Sequence, residues 1–133
     1  MKDTAATDAL FAPFQLGRLP LPNRIVMAPM TRSHSPEGVP PPEVAEYYRK
    51  RAAAGVGLIV TEGVAIDRPA AKSDPKVPHM YGAEALAGWD RVVGAVHGAG
   101  GRIAPQLWHV GGRPDPQDSG WVPPGPIDSP SGL

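Results

Sequence analysis

The chain has no cysteine among its 133 residues. That excludes disulfide staples, thiolate nucleophiles and cysteine-ligated metal, and it agrees with a reducing, cytoplasmic setting. An excess of charge of either sign is also missing: 13 Lys plus Arg balance 13 Asp plus Glu. No basic field exists to draw nucleic acid or an anionic membrane surface. No run approaches the ~20 apolar residues of a membrane helix, and Met1 to Asp8 has no apolar stretch of the kind a secretory signal needs. His34, His79, His97 and His109 are not spaced as metal ligands, so no metal is expected. The expected partner is a small, neutral molecule.

Proline and glycine, by contrast, are plentiful, at 18 and 16 residues. They crowd into Pro20 to Pro42, Pro69 to Pro78 and Pro114 to Pro130, and the stretches between read as ordered elements. The length is enough for one modest core, either a single domain or a piece of a larger one. Residues 1–9 read as a flexible N-terminus and residues 10–133 as one unit.

Leu10 to Asn23 alternates apolar residues with turn-formers and predicts a short hairpin. Arg24 to Ala28 is an apolar run ended by Pro29, as expected of a parallel strand buried on both faces. Glu43 to Ala54 predicts a helix. It carries Val44, Tyr47, Tyr48, Arg51 and Ala52 at roughly helical spacing, acidic residues early, basic residues late, and Gly55 as a stop. Val56 to Thr61 predicts a second strand. Ile66 to Gly82 is a loop longer than the usual ~2–6 residues of a βα connection. Ala83 to Ala99 predicts a second helix with Leu86, Trp89, Val92, Val93 and Val96 on one face, ended by Gly100. Arg102 to Leu107 is the third strand. Alternation of this kind builds parallel sheet from successive βαβ units, and a full (β/α)₈ barrel takes ~250 residues. The fold expected is therefore α/β, the N-terminal portion of a TIM barrel with about three parallel strands and two helices, the barrel incomplete.

Each predicted strand ends in polar or small residues, and the C-terminal ends of strands are where such barrels carry their chemistry. Pro29, Met30 and Thr31 end the first, Glu62 and Gly63 the second, Gln106 the third. By residue chemistry alone Thr31 and Arg32 either cap a buried strand or face a ligand. Glu62 is a lone carboxylate without a visible partner. Gly63 permits close approach to the backbone. The Gln106 carboxamide offers one acceptor and two donors, for a ligand or for the core. Gly100-Gly101 and Gly111-Gly112 do not form a dinucleotide or P-loop fingerprint.

The segments Asn23-Arg24-Ile25-Val26-Met27-Ala28-Pro29-Met30-Thr31-Arg32, Gly57-Leu58-Ile59-Val60-Thr61-Glu62-Gly63 and Gly101-Arg102-Ile103-Ala104-Pro105-Gln106-Leu107-Trp108-His109-Val110-Gly111 closely resemble, in order, the N-terminal part of the Old Yellow Enzyme family of flavin-dependent ene reductases. The likeness runs from about Leu10 to the end. It implies an FMN site in which Ala28, Pro29, Met30 and Thr31 pack beneath the flavin ring, with the Thr31 hydroxyl donating to the flavin C4 carbonyl. Gly63 would contact the cofactor, Glu62 support that corner, and Gln106 meet the pyrimidine edge. His109 would order the loop that follows. The hairpin would cover the bottom of the barrel, and Tyr47, Tyr48 and Arg51 would be packing and salt-bridge residues. Gly111-Gly112-Arg113 carries one glycine more than the family pattern, which leaves the placement of Arg113 and Pro114 open.

The resemblance further implies NADH or NADPH as reductant and an activated alkene, an α,β-unsaturated carbonyl or nitro compound, as substrate. The family's substrate-binding pair, tyrosine proton donor and later arginines have no counterpart in this sequence, so no catalytic residue is assigned. Three strands of an open barrel leave two edges unpaired. The chain alone is therefore expected to be inactive, to bind flavin weakly or not at all, and to be prone to self-association. The alternatives are a truncated product acting as an interaction module and a remnant without function.

Overall fold

The computed structural model describes residues 4–112 and 121–130. Where a flexible start was expected, Thr4–Phe11 forms helix α1. A hairpin follows, β1 (Phe14–Leu16) paired antiparallel with β2 (Leu19–Leu21) around Gly17, whose φ is 58°. This left-handed turn is one that glycine enters without steric cost. Arg24 links these elements, its amide donating to the Leu10 carbonyl at 2.8 Å and its guanidinium lying 5.0 Å from the Phe14 ring centroid.

The main sheet has the order β3 (Val26–Met27), β4 (Leu58–Ala65), β5 (Ile103–Trp108), all parallel. Helix α2 (Pro42–Ala53) connects β3 to β4 and α3 (Ala83–Gly98) connects β4 to β5. This is the βαβαβ alternation expected from the sequence, three strands of an open barrel among the described residues. A short 3₁₀ turn, Pro36–Gly38, precedes α2. Pro42 opens α2 in the first turn, where a missing N–H costs nothing. Gly55 follows its end with φ 85°.

Asn23 sets the entry of β3 against β4. Its carboxamide accepts from the Ile25 amide (3.0 Å) and donates to the Gly55 carbonyl (2.7 Å), while the Gly57 amide donates to the Ile25 carbonyl (3.0 Å). The core lies between the sheet and the two helices. Val44, Tyr48 and Ala52 of α2, Ile59 and Val64 of β4, and Trp89, Val92 and Val96 of α3 form one cluster. Each fully buried valine there contributes roughly 1.5–3 kcal/mol relative to exposure.

Three expectations are corrected. The first strand is shorter than Arg24 to Ala28 and is not buried on both faces: Met27 packs against the core on the helix side, whereas Val26, on the opposite face, is 50% exposed because little among the described residues covers that face. The second strand does not stop at Thr61 but runs on to Ala65, since Val64 and Ala65 pair with Leu107 and Trp108. Leu86 does not join the buried face of α3, and Ala85 is buried in its place. No described helix is long and apolar enough to cross a membrane.

Candidate functional site

Parallel pairing brings the C-terminal ends of all three strands to one edge of the sheet. Gly63 and Gln106 are direct partners across β4 and β5. Ala28, Pro29, Met30 and Thr31 leave β3 at the same end, all exposed. Arg32 is tied back to β4, its amide donating to Glu62 Oε2 at 3.1 Å. The residues singled out in the sequence are thus gathered at one edge. Gln106 is also exposed, and neither its carboxamide nor the Thr31 hydroxyl is used in a hydrogen bond among the described residues.

A β-bulge shapes this edge. Val60 pairs with Ala104 and Gly63 with Gln106, so Thr61 and Glu62 together oppose Pro105. Proline has no N–H to give a ladder, and the extra residue is accommodated where the ladder is already interrupted. The Thr61 hydroxyl takes over a ladder acceptor's role, receiving the Gln106 amide at 3.1 Å and donating to the Glu62 carbonyl at 2.8 Å. Bulges bend a strand and re-aim its side chains. Here both Thr61 and Glu62 turn toward the helices, Thr61 beside Trp89 and Val93, Glu62 beside Tyr48.

By residue chemistry Glu62 is a lone carboxylate, and the resemblance gives it the support of that corner. In the structure its side chain is fully buried and has three neighbours: the Arg32 amide, the Tyr48 hydroxyl at 3.5 Å and Arg32 Nη1 at 3.8 Å. The Tyr48 oxygen also accepts the Glu62 amide at 2.9 Å. Burial pushes the Glu62 carboxyl above the usual range, and the Arg32 amide and guanidinium pull it back in part. The Arg32 guanidinium lies 3.5 Å from the Tyr47 ring centroid, and that of Arg51 lies 3.3 Å from the same ring, within cation–π range. Arg51 also donates to the Tyr47 carbonyl at 2.7 Å. Tyr47 and Arg51 are therefore packing residues as expected, joined through a ring face. The ion pairs on α2 are instead those of Glu46 with Arg49 and Lys50.

Gly63 meets a side chain at close range. A Cβ there would lie 2.1 Å from Trp108 Cε3, so the indole lies across the glycine. The same ring packs on Ala65, Ala71 and Val77.

Two further clusters join distant segments, and of their members the sequence reading gives a structural role to His109 alone. In the β4–α3 loop, Lys72 Nζ lies 2.6 Å from His79 Nε2 and donates to the Pro75 carbonyl at 3.0 Å, with the Trp121 ring centroid 5.9 Å away. An ammonium donating at this distance requires a neutral His79 with its proton on Nδ1. Burial and then Lys72 hold the His79 imidazole below its ordinary value of 6.5. A histidine depressed in this way leaves the unfolded chain binding more protons, so its stabilisation is present above pH 6.5 and is lost as pH falls through the folded value. We expect the melting temperature to drop on acidification below about pH 6.5, and the drop to be smaller in His79→Gln. Equal slopes for the two proteins would sink this. At the end of β5, His109 Nδ1 accepts the Gly111 amide at 2.9 Å and Nε2 lies 3.4 Å from Asp128, which also faces Arg68 at 3.5 Å. His109 thus orders the following loop, as expected. Arg113 and Pro114 lie outside the described residues. Among the described residues no three metal-ligating side chains gather.

A parallel sheet backed by helices, with its polar residues at the C-terminal strand ends, is a segment of a (β/α)₈ barrel. Residues 9–131 match the model of the NADH:flavin oxidoreductase / NADH oxidase family, and the chain belongs to that family. It is 47% identical over 102 residues to 12-oxophytodienoate reductase 7 of Oryza sativa subsp. japonica, covering 77% of this chain and 25% of that protein. A solved structure of morphinone reductase in complex with tetrahydroNAD superposes with a TM-score of 0.73 at 48% identity, covering 77% of this chain and 28% of the other. The Old Yellow Enzyme homologue of Zymomonas mobilis matches with a TM-score of 0.72 at 38% identity, over 77% of this chain and 28% of that one. The chain thus spans about a quarter of the length of these relatives. FMN is the family's flavin and a nicotinamide its reductant.

Proposed function

We propose that this chain contributes the pyrimidine side of an FMN site in a flavin oxidoreductase that reduces activated C=C bonds with NADH or NADPH. One observation carries the reading. Gln106, the cross-strand partner of Gly63, and Thr31, in the loop that leaves β3 at the same edge of the sheet, each carry an uncommitted polar group. A carboxamide and a hydroxyl so placed suit the alternating carbonyl and N–H edge of a flavin. Ala28, Pro29 and Met30 supply the surface beneath the ring. The indole already lies across Gly63, so that residue would meet the ring through its backbone. When bound, FMN supplies the two-electron chemistry. The protein's part is to bind and orient it, and the substrate proposed is a small α,β-unsaturated carbonyl or nitro compound in the cytoplasm.

The 133-residue chain is expected to be inactive alone. β3 and β5 are edge strands, and Val26 and Leu107 on them are 50% and 61% exposed. Such edges favour association with a further chain segment or a second copy. The test is a chimera in which residues 9–131 replace the matching segment of morphinone reductase. It should retain FMN through gel filtration, and Gln106→Ala should weaken FMN binding about tenfold, the scale of a lost buried hydrogen bond. Unchanged affinity in the Gln106 and Thr31 alanine variants would refute the assignment. The unmodified chain should carry no stoichiometric flavin absorbance.

A further inference from the structure

We propose that Glu62 is a positioning residue that sets the flavin-facing loop by gripping the Arg32 amide, and so fixes where Thr31 sits. The inference rests on the FMN reading above. Residues 28–35 belong to no helix or strand, and loops of this kind need an anchor to present a side chain in one place. The anchor crosses from β4 to the loop after β3 through a side chain that is fully buried.

The obvious alternative is that Glu62 merely neutralises Arg32. The distances favour the amide. The carboxylate accepts the Arg32 backbone N–H at 3.1 Å, whereas the guanidinium approaches no nearer than 3.8 Å, and Arg32 Nη1 is buried with no hydrogen-bond partner. A carboxylate serving chiefly as a counter-ion would take a guanidinium side-on with two short bonds. Instead the guanidinium rests on the Tyr47 ring. The carboxylate is itself braced from α2. The Tyr48 hydroxyl lies between the Glu62 amide and Oε1, at 2.9 and 3.5 Å. Bulging of β4 is what turns Glu62 to this side at all. The chain of support therefore runs from α2 through Tyr48 and Glu62 to Arg32 and its neighbour Thr31.

The test is site-resolved amide hydrogen exchange on the full chain, with FMN fluorescence titration of the morphinone reductase chimera carrying the same substitutions as the second readout. In Glu62→Gln the Arg32 amide meets either the carboxamide nitrogen, which is a donor, or a neutral oxygen, which accepts roughly half as strongly as a carboxylate. Exchange at Arg32 should quicken about tenfold, while the Ile59 amide, bonded to the Arg102 carbonyl, and the amides of α2 keep their protection. Tyr48→Phe should give a smaller change at Arg32. Unchanged exchange at Arg32, or an equal rise at Arg32, Ile59 and α2, overturns the proposal. If Thr31→Ala alters FMN quenching and Glu62→Gln does not, the grip does not serve the flavin and the inference falls. If neither alters it while Arg32 exchange quickens, the anchor stands and the FMN reading is what fails.

Discussion

Gly63→Val should destabilise the chain by about 3 kcal/mol, at the upper end of what overpacking a formed core costs. The new Cβ would stand 2.1 Å from Trp108 Cε3, a separation that no rotamer of valine relieves because Cβ is fixed by the backbone. β4 cannot shift away easily, being paired on both sides, with β3 and with β5. The indole must therefore leave its place on Ala65, Ala71 and Val77. Urea unfolding followed by tryptophan fluorescence measures the loss. Gly94→Ala is the control, since nothing lies within 4 Å of its Cβ position on the exposed side of α3. That change should be neutral or stabilising by up to about 1 kcal/mol. If both variants unfold at the wild-type midpoint, Trp108 does not pack on Gly63.

Tyr48 carries the second large effect. Tyr48→Ala removes a fully buried aromatic ring from the centre of the core, and deletions of that size cost about 3–5 kcal/mol. Tyr48→Phe keeps the ring and removes the oxygen. The buried Glu62 amide then loses its acceptor, and an unsatisfied buried group costs about 1–3 kcal/mol. The pair of variants separates packing from hydrogen bonding. Burial pushes the Tyr48 phenol up to about 12 from 10.0. A group raised on folding contributes stability that is present below its unfolded value and lost as pH rises through the folded one. The wild type should therefore weaken across pH 10 to 12, and Tyr48→Phe should weaken less over that window in the same urea titrations. Parallel curves would show that the hydroxyl is not buried against Glu62.

Helix α2 was legible almost to the residue because Pro42 and Gly55 mark its ends by backbone chemistry, independent of what it packs on. The hairpin about Gly17 was legible in kind, but its expected start at Leu10 falls inside α1, which runs to Phe11. The gathering of Thr31, Gly63 and Gln106 at one edge of the sheet was legible for a different reason: they follow apolar runs, so their placement at strand ends needs only parallel pairing. The failures have tertiary causes. Thr61-Glu62-Gly63 reads as the polar end of a strand, yet Leu107 and Trp108 of β5 carry the pairing on to Ala65. Val26 reads as buried, and it is open because its side chain lies on the face opposite Met27, which little among the described residues covers. The role of Glu62 depends on Tyr48, fourteen residues away on another element, and the Lys72–Trp121 and His109–Asp128 contacts span still greater separations. Helix α1 opens on the small residues Thr4, Ala5, Ala6 and Thr7 and carries its two large apolar residues, Leu10 and Phe11, side by side at its end, which gives no amphipathic stripe.

The bulge at Thr61 and Glu62 makes β4 unequal in its tolerance of deletions. Side chains alternate between faces along a strand, so losing one residue ordinarily turns every later one over. Val60 and Gly63 are level with Ala104 and Gln106, and the two residues between them share a single place opposite Pro105. Removing Thr61 would leave Gly63, Val64 and Ala65 on their present faces, with Trp108 still able to lie across Gly63. Removing Val64 instead would either turn Ala65 onto the helix-facing side opposite Leu107 or, if the bulge closed to absorb the loss, put Gly63 out of line with Gln106. A one-codon deletion scan along residues 58–65 should therefore show one narrow window of retained folding, centred on the bulge.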